Sequence, residues 1–474
     1  MRTAPKVVVI GGGISGLAAA WRLRLKRPDA DIWMVEASAR MGGKLISEHR
    51  EGFVVEAGAD GFLVRKPPAL EWVKALGLGP ELIEPRPDHR FSHVLWDGAL
   101  HRMPEGFSGL VPTDPEGLRK TTLLTAEGAA RAIAETDVPP RLSGPEESVK
   151  EFFTRRYGAE AFDRLMEPLL AGIYAGDAGR LSVEAAFPQL VAVERKGQSL
   201  TQGLRAGPQN APGPAFRSFA GGMSRLVEEM EAELRRSGVT LVGGTPVTSL
   251  DRRGQSFLVG TASKTFEADA VVLCLGPRTA GGLVRALSPV QADVLGAWPV
   301  TSVANLNLAF DEDEVPNLPP GSGFVAPGAG GKAFSAATWS SRKWPGRAPE
   351  GKVLVRIYFG GARDPEGWKA PEQELIDAGL NLLAGFHSGR SPRPLWHRVF
   401  RWRDAFAQPD LGHADRHRSL EAGAVPGLVL AGGYFAGVGI PDCLARAEEA
   451  AAEVDQYLTH PPFDTIEITG ENSP

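Results

Sequence analysis

The stretch GGGISGLAAA, Gly11–Ala20, stands between the apolar run VVVI (7–10) and, after a helical pattern reaching about Lys26, the run DIWMVE (31–36), which closes on a carboxylate. Apolar runs this short have strand length, so the pattern predicts a strand at Val7–Ile10, a helix from Ile14 and a strand at Ile32–Glu36. A βαβ start of this kind belongs to a parallel sheet. Within it Gly11, Gly13 and Gly16 have the G-x-G-x-x-G spacing. The first permits a tight turn, the second lets backbone approach a pyrophosphate, and the third lets helix pack close to strand. Phosphate would there meet the unpaired N–H groups of the first helical turn and the positive end of the helix dipole. A turn shaped for packing alone also needs glycines, but its place between strand and helix favours a dinucleotide. Glu36, 20 residues after Gly16, ends the second strand where a carboxylate can accept from both hydroxyls of an adenosine ribose. Its charge disfavours a phosphorylated ribose, so NADP fits least.

The remaining composition bounds what this loop can serve. The chain has 474 residues, 43% hydrophobic and 23% charged, which suits a soluble globular protein of two or three domains. A net charge of −5 without a like-charge block speaks against a nucleic-acid partner. Cys274 and Cys443 lie far apart and form no CxxC or Cys/His cluster, which argues against disulfides and structural zinc and for the cytoplasm. MRTAPK leaves no room for a secretory leader before the first strand, and VVLCLG and LVLAGG fall far short of the ~18–20 residues of a membrane span. Any membrane contact would be peripheral. FSGLVP offers Phe107, Leu110 and Val111 as an exposed apolar patch for it, against the plainer alternative of a buried loop.

From about residue 113 to 204 the pattern is mostly helical, and RAGPQNAPGPAFRSFAGG then breaks it, setting a boundary near residue 212. MSRLVEEMEAELRRSG follows as an amphipathic helix, and VTLVGG, SFLVG and DAVVLCLG return to strands. SVANLNLAF, KVLVRIYFG and LWHRVFRW, around the helical EQELIDAGLNLLAGF, predict a second sheet. LVLAGGYFAGVGIPDCLARAEEAAAEVDQYL reads as a strand, a glycine-rich turn and a long helix. The expected class is α/β. A discontinuous Rossmann-like domain (1–85, 213–285, 424–460) carries an inserted helical domain (86–212) and a mixed α+β substrate domain (286–423), with a loose tail after about His460.

ASARMGGKLISEHREGFVVEAGADGFL (37–63) carries Arg40, the pair Gly42–Gly43, and Glu56 with Gly58. On these residues the chain resembles the flavin amine oxidase and protoporphyrinogen oxidase superfamily, in which RxGG follows the ribose-binding acid and cradles the FAD diphosphate. A Gly-Gly pair is also common in ordinary turns. HRFSHVLWDGALHRMPEG, LLAGIYAGDAGRLSVEAAFPQL, SFAGGMSRLVEEM and GGYFAGVGIPDCLARA narrow the likeness. Together they are similar to oxygen-dependent protoporphyrinogen oxidases and the related coproporphyrinogen oxidases, over about residues 6–458. The resemblance implies FAD rather than NAD. Around the dinucleotide it implies contacts from Gly11, Gly13, Ser15, Gly16, Glu36, Ala37, Arg40, Gly42, Gly43, Lys44, Gly58 and Ala59. Nearer the flavin it implies Val247, Trp402, Gly433, Val438, Gly439 and Ile440. Cys443 reads as a small buried hydrophobe, so the FAD is expected to be non-covalent.

A porphyrinogen is nonplanar and bears carboxylates, so its pocket needs an apolar slot, a few orienting polar groups and a cation. The resemblance assigns a propionate to Arg90, a pyrrole N–H to the Gly172 carbonyl, and clearance beside the ring to Ala175. It assigns packing on the macrocycle to Val325 and Tyr358. A solvated arginine, a turn glycine and core side chains are the plainer alternatives. Ser322, where some relatives have an aromatic residue, and AQPDLGH, where many read PQYxxGH, depart from the family pattern. No Ser/His/Asp set, paired carboxylates or metal cluster stands out. None is needed where a flavin takes hydride and the protein positions the substrate, with the C-terminal helix aiming its N-terminus at negative charge on the flavin. The implied activity is a six-electron oxidation of a porphyrinogen to a porphyrin in heme biosynthesis, with dioxygen reduced to hydrogen peroxide in three turnovers. Protoporphyrinogen IX and coproporphyrinogen III both fit, and Arg90 tilts the expectation slightly to the former. An amine oxidase or carotenoid-type desaturase, and a non-catalytic porphyrin-binding flavoprotein, are the alternatives.

Overall fold

The computed structural model describes residues 4–205, 213–328, 334–435 and 437–460, the Pro67 side chain apart. The boundary expected near residue 212 and the tail after His460 lie outside these residues. The opening unit forms as a strand Lys6–Ile10, a helix Ile14–Lys26 and a strand Asp31–Val35. It sits in a five-stranded parallel sheet, ordered Thr240–Val242, Asp31–Val35, Lys6–Ile10, Ala270–Leu273, Leu428–Leu430. VVVI is unbroken because the sheet is covered on both faces. Val7 and Val9 enter one core with helices Ile14–Lys26, Ser224–Arg236 and Ile440–Thr459. Val8 and Ile10 enter another with Leu250, Phe257 and Val259 from the antiparallel strands Val247–Arg253 and Ser256–Thr261.

A seven-stranded sheet forms the second layer, ordered Trp396–Ala407, Val300–Asp311, Lys352–Gly360, Ala336–Trp339, Gly323–Val325, His93–Trp96, Ala99–Arg102. Its last two strands correct the expected start of the helical part at residue 86. They form a hairpin turned by Asp97 and Gly98 at φ 48° and 79°, the Asp-Gly pairing that two-residue hairpins favour. The substrate-domain range of 286–423 also shifts. Leu295 and Trp298, with Leu420 of the helix His413–Ala422, pack into the same core as Val271 and Leu428 of the parallel sheet.

Between residues 115 and 205 short helices gather around Phe152, Phe153, Tyr157, Phe162 and Leu165, all buried. Leu110 and Val111 lie inside this core, 3% and 0% exposed, because Phe107–Ser108 pairs with Val111–Pro112 and turns them inward. FSGLVP therefore forms a buried loop, the plainer of its two readings, with Phe107 half-buried. No helix among the described residues is long and apolar enough to cross a membrane.

Candidate active site

The helix Ile14–Lys26 begins at Gly13 with no side-chain cap and no acid in its first turn. Gly42 N–H donates to Gly12 O at 2.7 Å and Gly13 bridges to Gly42, so the two glycine loops lie side by side. Gly16 serves packing, since a Cβ there would stand 1.9 Å from Gly11 O. Gly13 differs: a Cβ there would approach only Gly43 Cα, at 3.9 Å. An open cradle with free N–H groups thus lies between the loops, and a dinucleotide diphosphate fits it. Arg40 holds the rim, donating to Met41 O at 2.7 Å and Gly43 O at 2.5 Å. The Glu36 carboxylate accepts from Gly12 N–H at 2.7 Å and Ser38 N–H at 2.8 Å. Of its roughly four acceptor positions, about two stay available for ribose hydroxyls. Ala37 is exposed beside it, and Val247 is half-buried.

Lys44 donates to Ala405 O. Burial pushes its ammonium down, yet its side chain is reached by solvent, the combination expected on the wall of a deep cleft. Ser15 and Cys443 are buried together across the two helix N-termini, and burial pushes the Cys443 thiol up. Opposite lies the loop Ala57–Asp60, with Ala59 exposed. Ala57 O accepts from Asn305 Nδ2 at 2.9 Å and from Trp402 Nε1 at 2.7 Å, and Gly58 O accepts from Arg356 Nη2 at 2.5 Å. Asp60 is held by Lys343 Nζ at 2.8 Å and Trp344 Nε1 at 3.1 Å. Burial pushes its carboxyl up, but Lys343 and Arg356 outweigh that and set it at about 2. Trp402, expected at the cofactor, carries its indole N–H to this loop. Asn305 and Arg356, 2% and 4% exposed, were not singled out from sequence, although a polar residue inside SVANLNLAF and a cation inside KVLVRIYFG were available signals.

Beyond the strand Leu428–Leu430, the glycine-rich turn reaches Gly439, which opens the helix Ile440–Thr459 without a side-chain cap. The back of the turn is braced. His413 and His417 stand 4.5 Å apart with Nε2 atoms 3.4 Å from Phe435 O and 3.3 Å from Tyr434 O. Arg446 donates to Leu430 O at 2.8 Å and lies over the Phe435 ring. Burial, with His417 adding to it, pushes His413 down to about 4. Gly433 and Val438 line a small cavity with His413.

The helix Glu167–Tyr174 presents Gly172 outward, with no atom within 4 Å of where a Cβ would be. Ala175, at φ 47°, ends the helix. Leu169 from this helix, Val325 from the large sheet and Val438 from the glycine-rich turn pack against one core. The helix and the Val325 strand are in contact, and the glycine-rich turn packs on the same core. Tyr358 lies two strands from Val325 through Ala336, with Arg356 stacked on its ring at 4.8 Å. Arg90 is not a bare cation. It donates to Glu84 at 2.8 Å and to Pro85 O at 3.0 Å, and Glu84 also pairs with Arg217 at 2.7 Å.

Two adjoining glycine loops, the Glu36 carboxylate at a strand end and an uncapped C-terminal helix packed on the parallel sheet, with a second sheet beside them, are the arrangement of the flavoprotein amine oxidase fold. The chain belongs to the flavin-containing amine oxidoreductase family, whose pattern matches residues 14–455, and FAD is its cofactor. It is 35% identical to the coproporphyrinogen III oxidase of Bacillus subtilis over 95% of this chain and 98% of that one. It is 31% identical to protoporphyrinogen oxidase 1 of Arabidopsis thaliana over 95% and 88%. A solved structure from Exiguobacterium sp. 255-15, named as a candidate protoporphyrinogen oxidase, superposes with a TM-score of 0.84 at 30% identity over 96% of this chain and 100% of that one. Cyclohexylamine oxidase of Brevibacterium oxydans shares the fold, with a TM-score of 0.70 at 17% identity over 96% and 100%. The chain is a flavin-dependent oxidoreductase of this family.

Proposed function

We propose that the substrate is coproporphyrinogen III, oxidised to coproporphyrin III on the path to heme. Three turnovers each remove two electrons and two protons and pass them to dioxygen as hydrogen peroxide. The observation that carries the choice is the 35% identity to a coproporphyrinogen III oxidase across nearly both full chains. Arg90 no longer tilts the balance to protoporphyrinogen, because its guanidinium is already engaged by Glu84, which it shares with Arg217. Bound FAD supplies the hydride acceptor; the chain does the rest. The Gly13 and Gly42–Gly43 loops hold the diphosphate, Glu36 takes the ribose, and the N-terminus of the helix from Ile440 stabilises negative charge on the ring. The Gly172 carbonyl accepts a pyrrole N–H, while Val325 and Tyr358 supply apolar walls that set a bridging C–H against the acceptor.

The test is anaerobic. Purified holoprotein is mixed with coproporphyrinogen III and flavin absorbance is followed, then air is admitted and porphyrin fluorescence measured. Bleaching followed by oxygen-dependent fluorescence is expected, with a higher kcat/KM than for protoporphyrinogen IX. The reverse ratio would assign protoporphyrinogen IX. No bleaching with either would refute the reading.

A further inference from the structure

We propose that Gln408 and Arg363 are positioning residues: they clip the helix Glu167–Tyr174 at its two ends and thereby aim the Gly172 carbonyl at the substrate. The proposal rests on the porphyrinogen reading above. It starts from the rule that the last four carbonyls of a helix lack partners within it. Here Ala171 O accepts from Ala175 N–H at 3.0 Å, Tyr174 O from Gln408 Nε2 at 3.0 Å, and Ala175 O from Ala362 N–H at 2.8 Å. Among the described residues no protein donor reaches the carbonyls of Gly172 and Ile173; both residues are exposed, and at Gly172 no atom lies within 4 Å of where a Cβ would be. The carbonyls of Ala171 and Tyr174, on either side of this pair, are tied while the pair is left for a ligand, at the negative end of the helix.

The clip at the C-terminal end is built. Gln408 is 3% exposed, and its Nε2 also lies 3.1 Å from Thr301 Oγ1 and 3.1 Å from Phe406 O. A Cβ on Gly176 would stand 2.3 Å from Gln408 Oε1, so the chain leaving the helix is fitted around that amide. At the other end Arg363 pairs with the Glu167 carboxylate, donates to Glu167 O at 3.0 Å and reaches Ala326 O at 3.1 Å, one residue beyond Val325. Arg363 follows the turn Gly360–Gly361 that leaves the Tyr358 strand. Both clips therefore come from the sheet that carries Val325 and Tyr358, so they lock the carbonyl and the walls into one frame. An eight-residue helix preceded by the π-helical turn Phe162–Met166 has little rigidity of its own and needs such anchors.

The experiment compares Gln408→Glu, which keeps the shape but faces Tyr174 O with an acceptor, with Arg363→Met and Arg363→Lys. FAD content and melting temperature are checked first. Anaerobic bleaching by coproporphyrinogen III is then measured against concentration, and bleaching by dithionite alongside it. Gln408→Glu and Arg363→Met are expected to slow limiting bleaching by about 10- to 100-fold and raise half-saturation, the scale of a misplacement near 1 Å. Arg363→Lys should recover most of the loss, and dithionite bleaching should match wild type. Variants that hold FAD and keep wild-type rate and half-saturation would overturn the proposal, as would equal slowing with dithionite. Should Gln408→Glu fail to load FAD, the two Arg363 variants decide by the same criteria. A wild-type protein that no porphyrinogen bleaches would overturn the underlying reading and this proposal with it; failure of the clips alone shows only when wild type bleaches.

Discussion

Gly13 and Gly16 are three residues apart and separate a binding glycine from a packing glycine. At Gly13 the backbone is at φ −71° and ψ 178°, open to any residue, and an added Cβ meets only Gly43 Cα at 3.9 Å. Gly13→Ala should therefore change the stability of the FAD-free protein little, the gain of about 0.4–1 kcal/mol from its stiffer unfolded chain offsetting the poorer N-cap that Ala makes. The methyl group would nevertheless stand in the diphosphate cradle. Denying one or two charge-assisted hydrogen bonds, each worth about 1.5–3 kcal/mol, predicts a net loss near 2–4 kcal/mol, or roughly 30- to 700-fold in FAD affinity. At Gly16 the new Cβ would stand 1.9 Å from Gly11 O, where about 3 Å is the ordinary limit, so the helix must move off the strand by ~1 Å. Gly16→Ala should lower the stability of the FAD-free protein by about 1–3 kcal/mol or more. The assay is a thermal melt of each stripped protein followed by FAD titration with flavin fluorescence. Wild-type FAD affinity in Gly13→Ala would show that phosphate does not sit between these loops. An equal drop in melting temperature for both variants would refute the division of labour.

Three further outcomes follow from the same geometry. His413 is held at about 4 against an ordinary 6.5, so the unfolded chain takes its proton first. Stability should hold above pH 6.5 and fall by about 2 kcal/mol on the way down to pH 4, allowing for partial solvent access. Denaturation midpoints at pH 7, 5.5 and 4.5 test this, and an unchanged slope in His413→Gln would contradict it. Asp60, at about 2 against an ordinary 3.8, stabilises the fold above pH 3.8 and loses that contribution as pH falls through 2. Asp60→Asn at pH 7 should cost about 2 kcal/mol and weaken FAD binding through the Ala57–Asp60 loop; an unchanged urea midpoint would count against the ion pair with Lys343. Val111→Asp, at a fully buried position, should cost several kcal/mol and remove folded protein, whereas a folded variant that merely leaves membranes would restore the exposed-patch idea.

The opening unit was legible because its residues report on two local demands at once, a strand covered on both faces and a turn too tight for side chains. The glycine-rich C-terminal turn was legible for the same reason. The hairpin at 93–102 was not read from the sequence, although WDGA holds an Asp-Gly turn signal; its partner strand, Gly323–Val325, lies more than 200 residues on, and no local pattern fixes such a pairing. FSGLVP left two readings open, of which the plainer, a buried loop, is the one observed. Apolar residues between glycine and proline suit an exposed tip and a buried loop equally, and only the neighbouring helices decide. Arg90, to which the resemblance assigned a propionate, is engaged by Glu84, six residues earlier. A lone charge read along a sequence has no partner; in three dimensions it usually finds one.

The polar residues around the candidate site share one property, whether or not the sequence singled them out: each ends on a main-chain oxygen. Asn305, Arg356 and Trp402 end on Ala57 and Gly58, Lys44 on Ala405, Gln408 on Tyr174, Arg363 on Glu167 and Ala326. Side chains aimed at backbone constrain position without presenting a reactive group, which is what an oxidation carried by the cofactor requires of its protein. Leaving a buried donor or carbonyl unpaired costs about 1–3 kcal/mol, so each bond penalises displacement of the loop it holds. Catalysis by placement therefore puts its functional residues in ordinary-looking strands. They are recognised by the carbonyl at the other end of the bond rather than by any motif around them.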